Sequence, residues 1–237
     1  RNVIIVTTDG LRWQEVFGGA DRDLISKKEG KVPDVEALTK TYWRETENAR
    51  RKALMPFFWS EVARRGQIIG NPALKSVARV TNGMNFSYPG YSEIFAGKPD
   101  PRIDSNDKVP NPNINVLEWL AGKPEFHGRV AAFGSWDVYD AILNEPRSGI
   151  LVNCGFEPLE VPEMNANARM LNRLMRETPA MWGGERYDSF TFHMGLEYLR
   201  QTKPRVIYFG LGDTDEFAHE GRYDHYLEIG RASCRER

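Results

Sequence analysis

The chain has 237 residues, 41% hydrophobic and 27% charged, with a formal net charge of −1. That is length enough for one substantial core or two small ones and an ordinary globular composition, and the charge balance argues against attachment to nucleic acid or an anionic membrane by bulk charge. No apolar run reaches the roughly 18–20 residues that span a bilayer, and Cys154 and Cys234 are too few for a disulfide framework.

The chain opens on Arg1 without an initiator Met or a signal-peptide pattern, as expected of a processed or partial reading frame. Residues 2–8 are a β-branched run containing Val3-Ile4-Ile5-Val6, expected as a buried strand covered on both faces. It ends at Asp9-Gly10, a turn that leaves a carboxylate at the strand's carboxyl end, where open α/β sheets bind ligands. Residues 11–17 read as a short helix stopped by Gly18-Gly19, 34–52 as a helix, and 55–65 as another stopped by Gly66. The basic runs Arg50-Arg51-Lys52 and Arg64-Arg65 read as solvated helix faces. Residues 67–70 and 75–80 read as short strands, and 90–95 as a short helix just after Ser87.

A polar stretch rich in Pro, Asp and Asn fills 98–115; loops of that length are functional or disordered. Beyond it, helices over 116–121, 137–143, 166–176 and 189–201 alternate with strands over 129–134, 150–154 and 205–211. In the 189–201 helix, Phe192, Leu196 and Leu199 can share a buried face. Such alternation implies right-handed crossovers and an α/β fold with a mainly parallel sheet between helices. Cys154 reads as a small buried hydrophobe; His127 and His193 read as structural. Residues 228–237, including Cys234, match one reading frame of a short-read sequencing adapter (AGATCGGAAGAGC and its continuation). The native sequence is therefore expected to end near Leu227.

Three stretches carry the chemistry: Asp9, Ser87, and the group Asp213, Asp215 and His219, each expected near a strand end on one rim of the sheet. A Ser ahead of a helix has amide N–H groups and a positive dipole end nearby, which favour a phosphoryl group. Its hydroxyl is a poor nucleophile at neutral pH unless a base or metal activates it, and no Gly-x-Ser-x-Gly elbow is present. Carboxylates and imidazole suit zinc, and a pair of metals clamps the attacking and leaving oxygens of an in-line displacement. Each residue also has a plainer role: Asp9 as a turn residue, Ser87 as a helix cap, Asp215 with His219 as a surface pair, and Asp213 as a cap or a partner of a metal ligand.

Thr7-Thr8-Asp9-Gly10-Leu11-Arg12, Ser87-Tyr88-Pro89 and Asp215-Glu216-Phe217-Ala218-His219 together resemble the amino-terminal part of the alkaline phosphatase superfamily, nearest its type I phosphodiesterase/nucleotide pyrophosphatase branch. The resemblance covers the chain up to Leu227 and implies one alkaline phosphatase-like catalytic domain with helices on both faces of the sheet. It implies that Ser87 is the nucleophile. Asp9 and Ser87 would bind one divalent ion and Asp215 and His219 a second, zinc before manganese. The implied substrate is a small-molecule phosphate diester or monoester, hydrolysed through a phosphoserine intermediate. A phosphate-steadying Asn falls on Asn106, with Asn113 behind it.

This sequence departs from the branch at Gly90-Tyr91, where Asn-His is usual, and at Thr214, where Pro is usual. Tyr91 also argues against formylglycine sulfatase chemistry, which carries Arg there. A further Asp-His pair and a last His of the family fall downstream of Leu227, and His225 comes too early to replace either. The alternatives are a superfamily phosphomutase or phosphonate hydrolase, and a non-catalytic α/β binding domain with an incomplete metal site.

Overall fold

The structure, a computed structural model, describes residues 2–233, and Cys234 with the end of the adapter-like tail lies outside them. In chain order the elements are β1 (Val3–Thr8), α1 (Trp13–Gly18), α2 (Val35–Tyr42), α3 (Glu47–Leu54), a π-helical turn at Phe58–Val62 that runs into α4 (Ala63–Arg65), α5 (Ser87–Ala96), α6 (Val116–Ala121), β2 (Val130–Gly134), α7 (Tyr139–Ile142), α8 (Glu145–Ser148), β3 (Leu151–Cys154), α9 (Ala166–Glu177), α10 (Asp188–Thr202), β4 (Val206–Leu211), α11 (Asp213–His219) and α12 (Tyr223–Ser233). The chain divides into two units. One takes the residues up to 7 with 80–212; the other takes 8–79 with the residues from 213 on.

The first unit is α/β and holds a four-stranded parallel sheet in the order β1-β4-β2-β3. Val130 pairs with Val206 and Ala131 with Leu151, so the apolar runs of β2, β3 and β4 lie side by side in register. Alternate residues face opposite ways. Val130, Ala132, Val152, Val206 and Tyr208 pack with Tyr88, Tyr91 and Phe95 of α5 and Leu117 of α6. Ala131, Phe133, Ile207 and Phe209 pack instead with Ala168 and Met175 of α9 and Met194 of α10. The central strands are thus covered on both faces, as their unbroken apolar character requires. Cys154 is buried here as expected, and its thiol donates to the Asp137 carbonyl at 3.3 Å.

Edge position changes the outcome for β1. Val3, Ile4 and Val6 are 50%, 58% and 53% exposed, so the run expected to be buried lies open at the end of the strand order. Periodicity alone cannot separate an edge strand from a central one. In α10 the buried positions are Asp188, Thr191, Met194, Gly195 and Glu197, while Phe192, Leu196 and Leu199 are only half-buried. His127 and His193 are both exposed.

The second unit is helical. The run expected as one helix over 34–52 is two, α2 and α3. Asp34 caps α2 by accepting from the Ala37 amide, and Thr46 caps α3 by accepting from Ala49. The expected strands at 67–70 and 75–80 are absent: Asn71 caps a 3₁₀ turn at Pro72–Leu74, and Lys75 follows in the left-handed region at φ 56°. Gly70 and Asn71-Pro72 break any ladder there. Glu15, fully buried on α1, accepts from the Arg12 guanidinium at 2.9 Å through Nε and again through Nη2, and from the Tyr223 hydroxyl at 3.0 Å. That group ties α1 to α12 by charge-assisted hydrogen bonds.

Candidate functional site

In the second unit, Asp9 follows β1 and Asp213 follows β4 after Gly212, so the chain leaves two neighbouring strands by way of the two motif stretches. They meet closely. Gly10 has φ +69° and lies so near α11 that a Cβ built on it would fall 2.4 Å from the Asp215 Cα. Only glycine combines that backbone with that approach. The Thr214 hydroxyl donates to the Asp9 carbonyl, and the Tyr226 hydroxyl donates to the Gly10 carbonyl at 3.2 Å. The two carbonyls at the turn are thus both held.

Asp215 and His219 share one face of α11, with Nε2 of His219 3.3 Å from Oδ2 of Asp215. The His219 side chain is 76% exposed and that of Asp215 31% exposed. Burial holds the Asp215 carboxyl above its ordinary range, and the His219 charge opposes that shift. Asp213 opens α11 and is almost fully buried. A carboxylate oxygen and an imidazole nitrogen one helical turn apart are a donor pair suited to a divalent ion. No group of three or more His, Cys, Asp or Glu side chains that could hold a metal ion occurs among the described residues.

In the first unit, Ser87 is the first residue of α5 rather than a residue ahead of a later helix, and the segment before it contains no strand. The helix start is less rich in open amides than expected. The Tyr88 N–H donates to Oδ1 of Asn106 at 3.0 Å, and Pro89 has no N–H. This bond fixes the orientation of the Asn106 amide, since only its oxygen can accept, and Nδ2 makes no hydrogen bond among the described residues. Asn113 is committed elsewhere, donating to Asp100 at 2.8 Å. Of the two Asn residues considered, Asn106 is the one beside the serine turn.

The long 98–115 loop is ordered through α5. Besides the Asn106 contact, Nδ2 of Asn111 donates to Oγ of Ser92 at 3.1 Å, and the buried Tyr88 hydroxyl donates to the Val109 carbonyl. On the other flank, Glu93 accepts from the amides of Thr81 and Asn82 at 2.7 and 3.0 Å. Lys108, two residues past Asn106, sits 3.0 Å from Asp140 and 3.7 Å from Asp137. The sequence marks Thr214 only as standing where Pro is usual and does not mark Lys108 at all, because their contacts depend on partners far along the chain.

Comparison of the chain with protein-family models, curated proteins and solved structures returns no match. No helix among the described residues is long and apolar enough to cross a membrane.

Proposed function

We propose that the chain is part of a metal-dependent phosphoric ester hydrolase of alkaline phosphatase-like fold, with Ser87 as the nucleophile. The observation that carries this reading is the contact of Gly10 with Asp215, which joins two of the three motif stretches in one small region.

The Ser87 hydroxyl loses its proton and attacks phosphorus in line. The bond from phosphorus to the leaving oxygen breaks, and the alcohol departs with a proton. Water then attacks the phosphoseryl group, releasing phosphate or a phosphomonoester and restoring Ser87. The Asn106 amide, whose oxygen is occupied by Tyr88, has Nδ2 to offer an anionic phosphoryl oxygen. Asp9, Asp215 and His219 would hold divalent ions, zinc before manganese. When bound, these supply positive charge that lowers the serine's pKa and stabilises the leaving oxygen. The donor types of Asp215 and His219 fit that use.

The test is hydrolysis of bis(p-nitrophenyl) phosphate and p-nitrophenyl phosphate by the product of the complete reading frame, with metal content measured on the same sample. Turnover accompanied by bound zinc or manganese supports the reading. Metal-free protein without turnover, even after zinc is added, contradicts it.

A further inference from the structure

The second unit contains a cavity of about 570 Å³ that shares no residue with Asp9, Asp215 or His219. Trp13, Arg22, Trp43, Arg50 and Arg51 are among its lining residues. Arg50 and Arg51 belong to the run expected as a solvated helix face, yet both are half-buried. Gly19, at φ +77°, makes the wall possible: a Cβ there would lie 2.3 Å from the Arg50 Cβ, so the end of α1 rests directly on α3.

Each arginine lies over an indole ring. The Arg50 guanidinium lies 4.5 Å from the Trp43 ring centroid, with Arg22 at 5.4 Å from the same ring, and Arg51 lies 3.9 Å from that of Trp59. Arg50 is fixed further by donating through Nε to the Gly18 carbonyl at 3.0 Å and through Nη1 to those of Arg44 and Glu45 at 3.1 and 3.2 Å. Its Nη2 makes no hydrogen bond among the described residues. Arg51 spends Nη2 on Asn48 at 3.2 Å and buries Nε, while its Nη1 makes no hydrogen bond among the described residues. Two adjacent, pre-oriented guanidinium groups therefore keep donors in hand beside Trp13, whose indole is 53% exposed. The lining also carries Asp21 and Glu47. Three arginines outnumber these two carboxylates, which suits a ligand of single negative charge.

We propose that this cavity binds a planar aromatic monoanion, such as an aryl sulfonate or aryl carboxylate. Its acidic group would sit against Arg50 and Arg51, and its ring against Trp13. Arginine donors match a planar or tetrahedral oxyanion, and indole faces match a flat ring. The inference is independent of phosphoryl transfer at Ser87.

The test is calorimetric titration of the protein with 2-naphthalenesulfonate, with cyclohexanesulfonate and 2-naphthol as the non-aromatic and uncharged controls. The naphthalenesulfonate is expected to bind, and each control about tenfold or more weaker. Trp13→Ala should weaken binding about threefold to tenfold and Arg51→Gln about tenfold or more. Lys52→Gln, which removes an exposed charge from the same helix, should change nothing. Circular dichroism checks that each variant is folded; Trp13→Ala, at a half-exposed position, keeps the test decisive if Arg51→Gln unfolds. No heat at millimolar ligand, equal binding of cyclohexanesulfonate, or equal losses in Lys52→Gln and Arg51→Gln would overturn the proposal.

Discussion

The Thr214 hydroxyl donates to the main-chain carbonyl of Asp9, joining residues 205 positions apart. Thr214 is fully buried, and the Asp9 turn it reaches is half-buried. Thr214→Val keeps the shape and removes this donor to the Asp9 carbonyl, an expected loss of about 1 kcal/mol in denaturant unfolding. Thr214→Ser keeps the donor and should recover most of it.

Gly10→Ala acts on the same contact from the other side. The new methyl meets the Asp215 backbone and forces a non-glycine residue into positive φ. The expected cost is about 2–3 kcal/mol. An unchanged melting temperature would mean that Gly10 does not rest on α11.

Asn106 separates a structural role from a functional one. Asn106→Asp keeps an acceptor for the Tyr88 amide and places a negative charge at the start of α5, so stability should hold within about 0.5 kcal/mol. It also replaces the Nδ2 donor with an oxygen, and turnover should fall by roughly a hundredfold. Asn106→Ala should lose both turnover and about 1 kcal/mol of stability. Equal turnover in wild type and Asn106→Asp would remove Asn106 from the phosphate site.

Cys154 predicts an alkaline limit on stability. Burial pushes its thiol from the ordinary value of 9.0 up to about 12. A folded pKa above the unfolded one contributes stability that is fully present below pH 9.0 and is lost as the pH rises through about 12. Denaturant midpoints should therefore fall over that window, and fall less in Cys154→Ala. A thiol reagent at pH 8 should label Cys154 no faster than the protein unfolds.

Much of the first unit was legible because its strands are short, unbroken apolar runs separated by amphipathic helices. The sequence expectations for 129–134, 150–154 and 205–211 meet β2, β3 and β4 within a residue or two. What failed depended on position in space. The Val3–Val6 run has the composition of a buried strand, but the edge of the sheet leaves it open. Arg50 and Arg51 look like solvated charges until Trp43 and Trp59 come against them, and neither indole stands on the same helix. The sequence offers Asn106 only by its place in the loop after the 90–95 helix; its bond to the Tyr88 amide depends on how that loop folds back on α5. The role of Thr214 was invisible, because its acceptor is a carbonyl rather than a side chain.

The proposed attack of Ser87 on phosphorus is tested by comparing turnover of bis(p-nitrophenyl) phosphate by wild type and Ser87→Ala, both made from the complete reading frame and supplied with zinc. Measurable turnover is expected in wild type and none in Ser87→Ala, with metal content largely retained in the variant. Turnover retained in Ser87→Ala would contradict it.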